Sequence, residues 1–145
     1  MDSTHLIIGA GEVGTAVYDV LSCTYDTAIR DIAPLDLEAD VLHVCFPWSD
    51  TFVERVREYR EEHGADLVVV HSTVAPGTCD AQGWVHSPVR GRHPHLAESL
   101  FHFVKHFGGA RAAEAAKFFS AAGVEARVHA LAADWRCGRV PALRF

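Results

Sequence analysis

The run Gly9-Ala10-Gly11-Glu12-Val13-Gly14 has the G-x-G-x-x-G spacing with which a backbone can hold phosphate. It follows the apolar run Thr4-His5-Leu6-Ile7-Ile8, which reads as a strand, and opens a stretch with helical periodicity. In that setting Gly9 permits the tight turn, Gly11 lets backbone approach a pyrophosphate, and Gly14 allows helix to pack on strand. The helix start adds amide donors and partial positive charge. Gly9, Ala10, Gly11, Glu12, Val13 and Gly14 are therefore expected to bind the pyrophosphate of a dinucleotide. Asp31 follows the glycines by about 20 residues, where an acid meets the adenosine ribose hydroxyls. A carboxylate there repels a ribose 2′-phosphate, which favours NAD over NADP as cofactor. Arg30 would oppose that preference, but strand alternation sends it to the other face.

The elements that position these residues alternate between strand and helix. Residues 12–22 place Val13, Ala16, Val17, Val20 and Leu21 on one helical face. Residues 27–31 read as a second strand and the apolar run 41–46 as a third, buried on both faces. Ser49 or Asp50 is expected to cap a helix carrying Phe52, Val53, Val56 and Tyr59 inward, with Gly64 ending it. Further strands are expected at 67–71, 84–86, 101–107 and 124–129, with a helix over 110–122. This order implies an α/β fold, a Rossmann-type doubly wound and mostly parallel sheet in a single domain. Residues 1–130 make up that domain; residues 131–145 read as a C-terminal tail or the end of a truncated chain.

A second informative loop, His71-Ser72-Thr73-Val74-Ala75-Pro76-Gly77-Thr78, follows the fourth strand. Ligands of doubly wound sheets lie beyond the carboxyl ends of the strands, so this loop should border a nicotinamide. Together with Cys45-Phe46-Pro47 after the third strand, it resembles the UDP-glucose/GDP-mannose (nucleotide-sugar) dehydrogenase family, which has an S-T-V-x-P-G-T loop there. The prephenate dehydrogenases are a more distant resemblance. The likeness spans about residues 4–130. It implies NAD-dependent oxidation of a sugar alcohol carbon, with Thr73 near the nicotinamide, positioning a catalytic water. It also implies that Phe46, Pro47, Ser72 and Thr73 line the cofactor cleft.

Two departures mark the chain. Ser87-Pro88-Val89-Arg90 lacks the glutamate that follows the corresponding proline in better-known members. The family's nucleophilic cysteine, with its lysine and asparagine, belongs to further domains. Cys137 in Trp135-Arg136-Cys137-Gly138-Arg139 does not match that segment. The other thiols, Cys23, Cys45 and Cys79, are widely spaced and read as free. Ten histidines raise the question of a metal, but their spacing matches no ligand set, and none is expected. His86, Ser87, Arg90, Arg92 and His93 instead suit an anionic or hydroxylated substrate, such as a sugar nucleotide.

The 145 residues carry a formal net charge of -6, which argues against non-specific nucleic-acid binding. No apolar run is long enough to cross a membrane, and the amino-terminal residues lack the features of a signal peptide. The chain thus reads as cytoplasmic. Three uses remain open: the cofactor domain of an oxidoreductase, a non-catalytic dinucleotide-binding module, and a small stand-alone dehydrogenase using residues 86–95 for substrate. A homo-oligomer or a partner subunit is compatible with each.

Overall fold

The computed structural model describes residues 3–89 and 96–131. In chain order the elements are β1 (Thr4–Ile8), α1 (Glu12–Leu21), β2 (Asp26–Arg30), β3 (Val41–Val44), α2 (Phe52–His63) and β4 (Leu67–Val70). They continue with α3 (Thr78–Gln82), β5 (Val85–His86), α4 (Leu96–His102), β6 (Lys105–Gly108), α5 (Ala112–Ala121) and β7 (Ala126–His129). The seven strands lie in the order β2-β1-β3-β4-β5-β6-β7. Every pairing is parallel except β5 with β6. This is the Rossmann-type α/β sheet that the alternation of elements implies.

Two apolar layers hold the sheet. On one face Ala16, Val17, Val20 and Leu21 of α1 join Leu96 and Leu100 of α4 and Ala112, Ala115 and Phe119 of α5 over Ile7, Val41 and Val69. On the other, Phe52 and Val56 of α2 and Cys79 of α3 cover Leu6, Ile8, Leu42, Val44, Val68 and Val70. Alternate residues of each central strand thus feed opposite layers, and both faces are buried, as parallel strands require. Gly64, in the left-handed region at φ 64°, closes α2.

Three expectations are corrected. The run 101–107 is not one strand: Phe101 and His102 end α4, and only Lys105–Gly108 joins the sheet. Its alternating phenylalanines mimic a strand, but Leu96 and Leu100, four apart, bury together in helical register, leaving Phe101 exposed. The turn into α2 uses neither Ser49 nor Asp50 as cap; Thr51 holds that place with no side-chain cap bond. The third strand stops at Val44; Cys45 still donates its amide to the Ile8 carbonyl of β1, and the chain bends at Phe46.

Candidate functional site

The strand order doubles back at β1: β2 lies on one side and β3 on the other. Such a reversal opens a crevice at the carboxyl ends of the two inner strands. The glycine turn occupies it. Gly9, at φ +112°, donates its amide to the Arg30 carbonyl at 2.8 Å. A Cβ on Gly9 would lie 2.9 Å from the Cys45 carbonyl carbon, so the β3 rim itself demands glycine. A Cβ on Gly14 would fall 1.7 Å from the Gly9 carbonyl oxygen. Gly11 differs from both. It is the N-cap of α1, and a Cβ there would meet no protein atom within 4 Å.

A cleft of about 280 Å³ lies against this turn, lined by Gly9, Ala10, Gly11, Glu12, Val13, Asp31, Cys45, Phe46 and Pro47. The fold therefore gathers residues from three separate sequence segments into one concavity. A larger cavity of about 390 Å³ shares Ala10, Gly11 and Glu12 but extends along α1 to Leu96 and Ala97 of α4. It lacks both Asp31 and the β3 rim, which only the smaller cleft of the two combines with the glycine turn.

Asp31 is exposed at the cleft, whereas Arg30 is buried and turned away. The Arg30 guanidinium lies 2.8 Å from Glu62 Oε2 and 2.8 Å from His63 Nε2, and its Nε donates to the Ala33 carbonyl. It also stacks 4.9 Å above the Tyr59 ring. With its donors committed behind the sheet, Arg30 does not line the cleft. Arg55 covers the Phe46 ring from α2 at 4.9 Å.

The Ser72–Thr73 loop sits at the carboxyl end of β4. Ser72 is buried, and its Oγ donates to the Phe46 carbonyl, tying this loop to the β3 rim. Its own carbonyl accepts from His86 Nε2 at 2.9 Å. Thr73 is exposed on the same loop but does not line the cleft. His86 and Ser87 are both buried, and the His86 ring holds the loop through its bond to the Ser72 carbonyl. Burial lowers the His86 pKa, against the opposing pull of the Ser72 carbonyl. Arg90, Arg92, His93 and Cys137 lie outside the described residues.

The described thiols are poor nucleophiles where they are covered. Burial pushes Cys45 up to about 12, and Cys79 to about 12 as well. Among the described residues, no group of three or more His, Cys, Asp or Glu side chains is placed to hold a metal ion. No described helix is long and apolar enough to cross a membrane.

Two features escaped the sequence reading. One is Lys105, buried with its amine donating to the Ser87 carbonyl at 2.8 Å and packed over Phe107 and Phe119. Burial lowers its pKa to about 7. The other is a row of buried imidazoles, His5, His43 and His71, on neighbouring strands. Histidines at same-face positions of successive apolar strands were the available signal, but it needs the strand register to be read.

No protein-family model matches the chain, and no curated protein matches it in sequence. Its fold matches solved structures closely. A UDP-D-ManNAc dehydrogenase of Pyrococcus horikoshii superposes with TM-score 0.76 at 18% identity, over 90% of this chain and 47% of that one. The UDP-N-acetyl-mannosamine dehydrogenase of Staphylococcus aureus gives 0.74 at 18% identity, over 91% of this chain and 48% of that one. A reductive aminase of Aspergillus terreus, solved with NADPH, gives 0.65 at 13% identity over 92% of this chain and 57% of that one. The chain spans about half the length of the two sugar-nucleotide enzymes. The resemblance to nucleotide-sugar dehydrogenases therefore holds at the level of fold, and the fold is the Rossmann type they contain.

Proposed function

We propose that the chain binds NAD in the cleft at the β1–α1 turn and serves as the cofactor domain of an oxidoreductase like the nucleotide-sugar dehydrogenases. The observation that carries this reading is the convergence of Gly9 to Val13, Asp31, Phe46 and Pro47 on one cleft of about 280 Å³. The amides at the start of α1, including that of Gly11, face a pyrophosphate with nothing but hydrogen on the intervening Cα. Asp31 accepts from the ribose hydroxyls, and Phe46 with Pro47 covers the adenosine side. When bound, NAD accepts hydride from an alcohol carbon. Ser72 contributes by holding the β3 rim in place, and Thr73 orients a water or hydroxyl beyond β4. The substrate is a small molecule, with a sugar nucleotide the first class to test.

The preference for NAD over NADP rests on the pairing of an exposed Asp31 with a buried Arg30. A fold of this kind also accommodates NADPH, as the reductive aminase solved with it illustrates. Isothermal titration with each cofactor tests the reading directly. Saturable NAD binding supports it, and absence of binding to either cofactor refutes it.

A second reading, a binding module without complete turnover, is favoured by the thiols. Oxidation of an alcohol to a carboxylate in two steps calls for an activated nucleophile. Cys45 and Cys79 are held protonated with pKa values near 12. NADH formation, followed by absorbance across a panel of sugar nucleotides, separates the two readings.

A further inference from the structure

Arg30 ends β2, the edge strand of the sheet, directly beside the glycine turn. Its carbonyl takes the Gly9 amide at 2.8 Å, and the next residue, Asp31, lines the cleft. Its side chain is nonetheless buried and held elsewhere. Nη1 lies 2.8 Å from Glu62 Oε2 and 2.8 Å from His63 Nε2, and Nε donates to the Ala33 carbonyl at 3.0 Å.

The His63 ring is itself fixed for this contact. The Leu37 carbonyl, 2.7 Å from Nδ1, can only accept, so Nδ1 carries hydrogen and Nε2 presents a lone pair. A guanidinium can only donate, so this is the tautomer that Arg30 requires. His63 is buried at the end of α2, and Glu62 beside it is exposed.

The anchored guanidinium remains close to the cleft. It stacks 4.9 Å over the Tyr59 ring, the Tyr59 ring lies 5.9 Å from that of Phe46, and Phe46 is part of the cleft wall. Ala33, which caps Nε, belongs to the exposed bend Asp31-Ile32-Ala33 that follows β2. Arg55, a second guanidinium at this rim, covers the Phe46 ring and lies 3.5 Å from the Tyr59 hydroxyl.

We propose that Glu62 and His63 are positioning residues for cofactor choice, holding Arg30 behind the sheet where its guanidinium cannot meet the 2′-phosphate of NADP. The proposal deepens the cofactor reading and rests on it. An acid after the second strand suits the ribose hydroxyls of NAD, whereas an arginine nearby accommodates the 2′-phosphate. This chain carries both, side by side, and their effects do not cancel because only Asp31 faces the cleft. Strand alternation alone does not secure that arrangement, since Arg30 is the last residue of β2 and a bend follows it. The end of α2 secures it, from partners 32 and 33 residues away. Released, Arg30 pairs either with Asp31 or with a bound 2′-phosphate. Both outcomes weaken the repulsion that Asp31 exerts, so both narrow the preference for NAD.

Paired titrations of the full chain with NAD and NADP test the anchor. Glu62→Gln combined with His63→Leu removes both acceptors from Nη1. The ratio of NAD to NADP affinity should then fall about tenfold, the scale of one charge-assisted hydrogen bond. A merely structural loss weakens both cofactors alike and leaves the ratio in place. Adding Arg30→Leu should restore the ratio of the unaltered chain, which separates Arg30 from Arg55 and from the lost charge of Glu62. Should the combined variant fail to fold, Glu62→Gln alone, at an exposed side chain, should shift the ratio the same way by about threefold. Nitrogen-15 spectra of arginine-labelled protein give a second readout. The Arg30 Nε–H should exchange slowly with solvent in the unaltered chain and rapidly in the variant. An unchanged ratio in a folded variant, a narrowed ratio that survives Arg30→Leu, or an Nε–H that stays protected overturns the anchor. Binding of neither cofactor by the unaltered protein sinks the cofactor reading and the anchor together. A preference for NAD that does not respond to Glu62 and His63 sinks the anchor alone.

Discussion

Gly14 stands so close to Gly9 that a Cβ on the former would overlap the carbonyl oxygen of the latter, at 1.7 Å. Gly11, between them in the same motif, has open space where its Cβ would be. Three glycines that look equivalent in sequence thus answer to different constraints. Gly9 and Gly14 are required by the chain's own packing; no neighbour within the chain requires a glycine at 11.

That difference yields a paired prediction. Gly14→Val should destabilise the fold by several kcal/mol or prevent folding, because the overlap is with backbone that cannot yield. Gly11→Val should fold, with thermal stability changed by no more than about 1 kcal/mol. Its NAD affinity should fall at least a hundredfold, since the branched side chain occupies the pyrophosphate position. Thermal denaturation and isothermal titration together check the pair. Unchanged NAD affinity in a folded Gly11→Val would remove the phosphate-turn assignment.

Asp31 and Arg30 are adjacent yet face different surroundings, which sets the second prediction. Asp31→Ala should weaken NAD and narrow its advantage over NADP by about 1–3 kcal/mol, the scale of a charge-assisted hydrogen bond. Arg30→Leu should leave the cofactor preference alone and lower stability instead, because Glu62 and His63 lose their shared partner. Equal binding of NAD and NADP by the unaltered protein would refute the role given to Asp31.

Much of the cleft was legible because its parts carry local signatures. The glycine spacing, the acid after the second strand and the nearly all-apolar third strand each report their own geometry. Residues whose roles depend on register were not legible. His5, His43 and His71 are far apart in sequence and meet only because β1, β3 and β4 pair in one alignment. Ser72 was expected at the cofactor, yet its hydroxyl serves the Phe46 carbonyl, a partner 26 residues away. The run 101–107 misled for the opposite reason: alternation is a local signal, and packing of α4 on α1 overrides it.

Ser72 and Thr73 should therefore separate by experiment. Ser72→Ala leaves the Phe46 carbonyl without its buried donor, a loss of about 1–2 kcal/mol in unfolding free energy. It should also weaken NAD several-fold by loosening the Phe46–Pro47 rim. Thr73→Ala, on the exposed side of the loop, should keep both stability and most of the cofactor affinity. Any effect of Thr73 belongs in turnover, read as NADH formation. A Thr73→Ala variant less stable than Ser72→Ala would contradict this division.

The buried amine of Lys105 should make stability depend on pH in an unusual direction. Its pKa falls from 10.5 unfolded to about 7 folded, because burial removes water, a loss that Cys45 and the Ser87 carbonyl offset only in part. Between those values the unfolded chain holds a proton that the folded chain has released. Raising the pH therefore favours folding, with stability missing below about 7 and recovered toward 10.5. One pKa unit corresponds to about 1.4 kcal/mol, so the gain between pH 7 and 9 should be roughly 2–3 kcal/mol. The histidines act in the same sense at lower pH: His5, lowered from 6.5 to about 4, loses its contribution as pH falls through that window. Above pH 10 the raised Tyr25 pKa reverses the trend, as the unfolded phenol ionises first. Urea denaturation of the unaltered chain and of Lys105→Met at pH 7, 8 and 9 isolates the lysine. The variant should be more stable at pH 7 and nearly flat across the series, since methionine fills similar volume without a charge to desolvate. Parallel pH profiles for the two proteins would show that Lys105 keeps its ordinary pKa in the fold.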